Sequence, residues 1–208
     1  MQNYKTVQND ASDEMIEKKS RFIGYCRPVK TQDEAIDFIN EIRALHRQAT
    51  HNVYAYILRE DNIMRYSDDG EPAGTAGVPV LEVLKKEGLT DVCVVVTRYF
   101  GGVLLGAGGL VRAYGKTAKL GVDAAVRIEK LYCSMYLVKC DYSTYGKVEY
   151  AINTEGYILK DSAFENDVTL TIGVKHGEED NFLKTIQDIS NGTAQITELE
   201  GEYITKVL

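Results

Sequence analysis

The residues of this chain best suited to chemistry lie between Thr97 and Arg112, in TRYFGGVLLGAGGLVR. Gly106, Gly108 and Gly109 stand where a loop opens into an apolar-periodic helix. Backbone N–H groups at such a junction point outward and attract anions. Arg98 and Arg112 add forked donors suited to phosphate or carboxylate. Lys116 follows Arg112 by four residues and so shares its helix face. Gly101 and Gly102 crowd the same loop, and glycine in such numbers implies unusual backbone angles or close approach of another group. His46 and His51 bridge a helix end and a strand start. The expected anion or nucleic-acid site is therefore Arg98, Gly101, Gly102, Gly106, Gly108, Gly109, Arg112 and Lys116, with His46 and His51 as further contacts.

A second cluster, SDDGEPAGTAG (Ser67–Gly77), supplies Asp68, Asp69 and Glu71. Such acids bind Mg²⁺ when a phosphate completes the coordination, and Mg²⁺ is the one cofactor the sequence admits. The same residues also suit a polar turn, or a cradle for Arg98. Other motifs fail. The dinucleotide fingerprint needs a third glycine where Val111 stands, and a Walker A loop needs one where Leu110 stands. With three histidines and no paired cysteines, zinc lacks a ligand set. No nucleophile with a paired base is identifiable. Tyr99 and Phe100, next to Arg98, suit base stacking or plugging of the core equally well.

Several elements must position these groups. Arg21–Val29 alternates as a first strand, and residues 1–20 read as peripheral. Thr31 and Glu34 form a capping box for a helix burying Ala35, Phe38, Ile39, Ile42 and Leu45. Strands Val53–Leu58 and Ile63–Tyr66 follow, joined at Asp61-Asn62. Pro79 is placed at the first position of a second helix, closed by Gly88. The β-branched run Val92–Val96 reads as a strand buried on both faces, and it delivers Arg98 into the glycine loop. A helix from about Gly109 to Ala124 turns Leu110, Ala113, Tyr114, Thr117 and Ala118 inward. A boundary falls at Val126–Glu129, which gives domains 1–128 and 129–208. Beyond it the periodicities read strand, helix, two strands, helix, strand. That is the β-α-β-β-α-β order of ferredoxin-like domains, so the fold class is α+β with two domains.

Composition narrows the function classes. Residues 1–128 hold 17 Lys and Arg against 17 Asp and Glu, while residues 129–208 hold 7 against 14, which accounts for the net charge of −7. A broad nucleic-acid coat would be basic, so any anion site is local and lies in the first half. No apolar run approaches the roughly 20 residues of a membrane span. The polar, acidic N-terminus is unlike a signal peptide. Cys26, Cys93, Cys133 and Cys140 form no CxxC pair, and a reduced, cytoplasmic setting is expected.

KKSRFIG (Lys18–Gly24), HRQATHN (His46–Asn52), RYSDDGEPAGTAGVPVLEVL (Arg65–Leu84) and VVVTRYFGGVLLGAGGLVRAY (Val94–Tyr114) closely resemble the IMPACT family and its bacterial members. The motifs keep the family's order over about Lys18–Ala125. The resemblance implies a first domain similar to the second domain of ribosomal protein S5 and to domain IV of the translocation factor EF-G. It implies a ferredoxin-like second domain. It also implies contact with RNA or the translation apparatus. Eukaryotic members regulate translation under amino-acid starvation through an additional N-terminal domain. The family supplies no catalytic residue. The expected function is thus translation-associated binding, with enzymatic activity not expected. The alternatives are a Mg²⁺-dependent enzyme or binder of a phosphorylated or anionic small molecule at the same site, and a protein–protein regulator acting through the acidic second domain.

Overall fold

A computed structural model of the chain describes residues 2–208. It divides into two compact units, one of Tyr4–Glu129 with Val207–Leu208, the other of residues 2–3 with Lys130–Lys206.

The larger unit is built on an antiparallel sheet in the order β2-β3-β6-β4-β5, from Ala11–Glu17 (β2), Ser20–Pro28 (β3), Val92–Tyr99 (β6), His51–Ile57 (β4) and Met64–Ser67 (β5). A short strand, Tyr4–Val7 (β1), precedes them. The central strand β6 is buried from Val92 to Arg98. Its alternation sends Val92, Val94 and Val96 into one core and Cys93 and Val95 into another. Gln32–Leu45 (α1) covers the second core. Gly77–Glu87 (α2) and Ala107–Ala124 (α3) cover the first. A strand buried on both faces is what an uninterrupted β-branched run requires.

α3 is seated unusually close to the sheet. A Cβ on Gly24 of β3 would collide with the carbonyl of Thr117, and one on Gly121 would collide with the carbonyl of Gly24. Side chains at either position would lift the helix away, so these glycines fix the height of α3 over β3 and with it the start of the helix.

Several local expectations are corrected. Residues 11–17 are not peripheral: β2 pairs with β3 from Ala11↔Cys26 to Glu17↔Ser20. Its acidic, sparsely apolar sequence fits an edge strand, which hides the strand signal. Leu45, the last residue of α1, is 67% exposed. The capping box is shifted by one residue: Thr31 Oγ1 accepts from Glu34 N at 3.2 Å, but the Glu34 carboxylate accepts from Lys30 N at 2.6 Å. Pro79 is the third residue of α2, not the first. Gly88 does close that helix, with φ +66°.

The smaller unit runs Arg127–Cys140 (β7, whose first residues belong to the larger unit), Tyr142–Glu155 (α4), Ile158–Phe164 (β8), Val168–Lys175 (β9), Glu179–Ser190 (α5) and Gln195–Val207 (β10). This is the expected β-α-β-β-α-β order. β9 lies between β7 and β8, and β10 pairs with β7. Val148, Ile152, Phe182 and Ile186 of the two helices pack on Val138, Leu170, Ile172 and Val174 of the sheet. All four cysteines of the chain are buried and free. Among the described residues no helix is long and apolar enough to cross a membrane.

Candidate functional site

The acids of residues 68–71 are fully engaged, each in a different task. Asp68 caps α2, which has no other side-chain cap. Its carboxylate accepts from the N–H groups of Ala76 (3.1 Å), Gly77 (2.8 Å) and Gly74 (2.8 Å). Negative charge at a helix N-terminus is stabilising there. Asp69, held at φ +45°, accepts from Asn52 N at 2.7 Å and pairs with Arg43 at 3.0 Å. Its carbonyl meets His51 Nδ1 at 2.7 Å. Glu71 is buried and accepts from Arg98 Nη1 at 2.5 Å and from the Tyr114 hydroxyl at 2.7 Å. The three carboxylates therefore do not converge as the expected Mg²⁺ set. Among the described residues no group of three or more His, Cys, Asp or Glu side chains is placed to hold a metal.

Arg98 is corrected from an anion donor to a buried anchor. Only 6% of its side chain is exposed. A buried guanidinium is costly unless paired, and Glu71 supplies the pair. Its Nη2 lies 3.4 Å from Ser20 Oγ, and that oxygen also accepts from Gly101 N at 3.1 Å. Arg98 thus ties the hairpin between β2 and β3 to the start of the glycine loop. Burial and the neighbouring Glu71 carboxylate raise the Tyr114 phenol far above its ordinary pKa, so this hydroxyl stays a donor at any pH the fold survives. Ser20 and Tyr114 escaped the sequence reading as polar partners, because a serine at a strand start and a tyrosine on an inner helix face carry no distinguishing pattern.

The histidines are also committed elsewhere. His46, at the end of α1, lies 2.6 Å from the Tyr25 hydroxyl and 2.8 Å from the Tyr99 hydroxyl, one at each ring nitrogen. Burial, and then the positive charge of Arg21, lower its pKa. The neutral imidazole accepts from one phenol and donates to the other, which leaves nothing for an anion. His51 places Nε2 3.8 Å from Glu71 and belongs to the Arg98 cluster.

Of the remaining expected residues, Gly108, Gly109, Arg112 and Lys116 come together at the start of α3, while Gly101 packs against the Lys19 backbone. The first helical bond of α3 runs from Leu110 N to Gly106 O, so the N–H groups of Ala107, Gly108 and Gly109 precede it. No side chain caps them. Gly102 and Gly106 have φ of +80° and +72°, with open space where a Cβ would stand. Arg112 Nη1 lies 3.5 Å from the Cβ position of Gly108, so the guanidinium leans over the open first turn. Next to it is a cleft of about 200 Å³ lined by Arg112, Lys116, Lys18 and the carboxylate residue Glu17, with Gly109, Leu105 and Met15. No carboxylate reaches ion-pair distance of Lys18, Arg112 or Lys116 among the described residues. Lys18 is an addition from the hairpin. It was hidden because residues before Lys18 carried no recognised strand to define a turn.

Matches to known proteins agree with this organisation. Residues 18–122 match the family model of the Impact N-terminal domain, and residues 138–193 match a domain of unknown function, DUF1949. The chain is 41% identical over 209 residues to the IMPACT family member YvyE of Bacillus subtilis (strain 168), covering 100% of this chain and 96% of that protein. It is 33% identical over 187 residues to the IMPACT family member YigZ of Escherichia coli (strain K12), covering 88% and 91%. A crystal structure described as that of a hypothetical protein superimposes with a TM-score of 0.60 at 30% identity, covering 96% of this chain and 98% of the other.

Proposed function

This chain belongs to the IMPACT family, and from that premise we propose that it is a translation-associated binding protein whose cleft at the start of α3 grips the phosphates of RNA. The observation that carries this reading is the set of unpaired cations, Lys18, Arg112 and Lys116, around the uncapped first turn of α3. Backbone donors and a guanidinium aimed at one place suit a phosphate. The cleft, at about 200 Å³, is smaller than the roughly 300–1,000 Å³ of small-molecule sites. That size favours an anion held on the surface as part of a longer chain over an enclosed metabolite. The zero net charge of residues 1–128 agrees with a focused contact in place of a basic face.

The test is sedimentation of lysate through a density gradient at low and moderate salt, following the protein and an Arg112→Ala/Lys116→Ala variant. Arg98 is left intact, because its removal would unfold the site. Salt-sensitive migration with ribosomes or their subunits, lost in the folded variant, is the expected outcome. A protein that stays at the top at both salts contradicts the proposal. Thermal stabilisation by a phosphorylated metabolite would then favour the small-molecule reading.

A further inference from the structure

Tyr99 and Phe100 are neighbours with opposite fates. Tyr99 is committed to His46 through its hydroxyl. Phe100 is 45% exposed, and the Arg98 guanidinium carbon lies 5.4 Å from its ring centroid. The ring therefore rests against a buried cation and presents the rest of its surface to water. Its backbone does not drift. Phe100 N donates to Thr50 Oγ1 at 3.1 Å, and Gly101 N donates to Ser20 Oγ at 3.1 Å. Gly101 also lies so close to the Lys19 backbone that a Cβ there would collide with it.

The hairpin tip against Gly101 carries its own oddity. Lys18 and Lys19 form the two-residue turn, and both have positive φ, +46° and +68°. That turn type favours Asn-Gly or Gly-Gly. Two lysines in the left-handed region are strained, and such strain concentrates at functional positions. Lys18 then enters the cleft with Arg112 and Lys116. The loop Gly101–Leu105 joins the pinned aromatic ring to this cation cluster, and its five residues span at most about 18 Å. An aromatic platform within a short reach of phosphate-binding groups is the arrangement that holds an unpaired strand. A duplex keeps its base faces covered and cannot use such a ring.

We propose that the site takes single-stranded nucleic acid, with phosphates on Lys18, Arg112 and Lys116 and one base stacked on Phe100. The proposal rests on the phosphate-binding reading above and specifies the strandedness of its ligand. The test is fluorescence anisotropy with a labelled single-stranded RNA 12-mer and the matching duplex. The proteins are the full chain and its Phe100→Ala, Phe100→Tyr and Lys18→Ala variants, with folding checked by circular dichroism. Because Phe100 is partly exposed, its loss leaves the core intact. The expected result is tighter binding of the single strand than of the duplex. Phe100→Ala loses about tenfold or more on the single strand and little on the duplex, and Phe100→Tyr restores binding. Lys18→Ala weakens both and flattens the salt dependence. If Phe100→Ala binds the single strand like the parent while Lys18→Ala still weakens it, the strandedness proposal falls and phosphate binding stands. If neither oligonucleotide binds at low salt, both fall. Preferential binding of vesicles containing phosphatidylserine, dependent on Phe100, overturns the proposal in favour of a membrane surface.

Discussion

Replacing Glu71 with leucine removes the single carboxylate that pairs with Arg98 and accepts from the Tyr114 hydroxyl. Arg98 lies in contact with Glu71 at 2.5 Å, and their side chains are 6% and 4% exposed. Breaking a buried pair by removing one partner leaves an uncompensated charge and costs about 3–5 kcal/mol. The orphaned Tyr114 hydroxyl falls within the same loss. At about 4 °C per kcal/mol for a unit the size of Tyr4–Glu129, the melting point of the larger unit drops by roughly 12–20 °C. Calorimetry is the assay, because it separates the transitions of units that do not unfold together. The triple variant Glu71→Leu/Arg98→Met/Tyr114→Phe removes every member of the cluster together and should recover most of the loss, since buried ion pairs exchange for apolar groups at little net cost. Two results refute the reasoning: a Glu71→Leu loss below about 1 kcal/mol, or a triple variant whose loss equals the sum of the single losses. Either would mean that Arg98 finds water or another partner, and that the site is not anchored as described.

Other perturbations test separate parts of the structure. Gly24→Ala should destabilise by about 1–3 kcal/mol in urea unfolding, because its methyl meets the Thr117 carbonyl and overpacks the seat of α3. Lys18→Asn/Lys19→Gly should stabilise by about 1 kcal/mol, since left-handed backbone suits these residues better, while weakening oligonucleotide binding. The folded pKa of His46 lies below its ordinary 6.5. The unfolded chain therefore takes up the proton first as pH falls, so this contribution is intact above about 6.5 and is lost through the lower folded value. Urea midpoints at pH 7.5 and pH 5 measure the slope, and His46→Gln should flatten it.

Much of the fold was legible because strong patterns had no competitor. The Val92–Val96 run could only be a doubly buried strand, and the inner face of α3, from Leu110 to Ala118, is buried throughout. The order of the smaller unit followed from clean alternation and from Gly156, which closes α4 at φ +76°. β2 was missed because an edge strand needs no apolar alternation, and Ser12, Asp13 and Glu14 are exposed there. The site was half legible. Glycine content marked the loop and the helix start correctly, because backbone freedom leaves a compositional trace. Charge content did not separate Arg98 from Arg112. Which arginine is buried depends on Glu71 arriving from another segment, a tertiary fact that spacing along the chain does not encode. The same holds for His46, whose two tyrosine partners come from β3 and β6.

The most direct test of the central claim is the salt dependence of single-stranded RNA affinity for the parent chain and the Arg112→Ala/Lys116→Ala variant. Three cleft cations neutralising three phosphates give a slope of log K against log salt of about −2. Losing two of them should shrink that slope to roughly −0.7 with the fold intact. A slope near zero in the parent, or the same slope in both proteins, would contradict phosphate binding by this cleft.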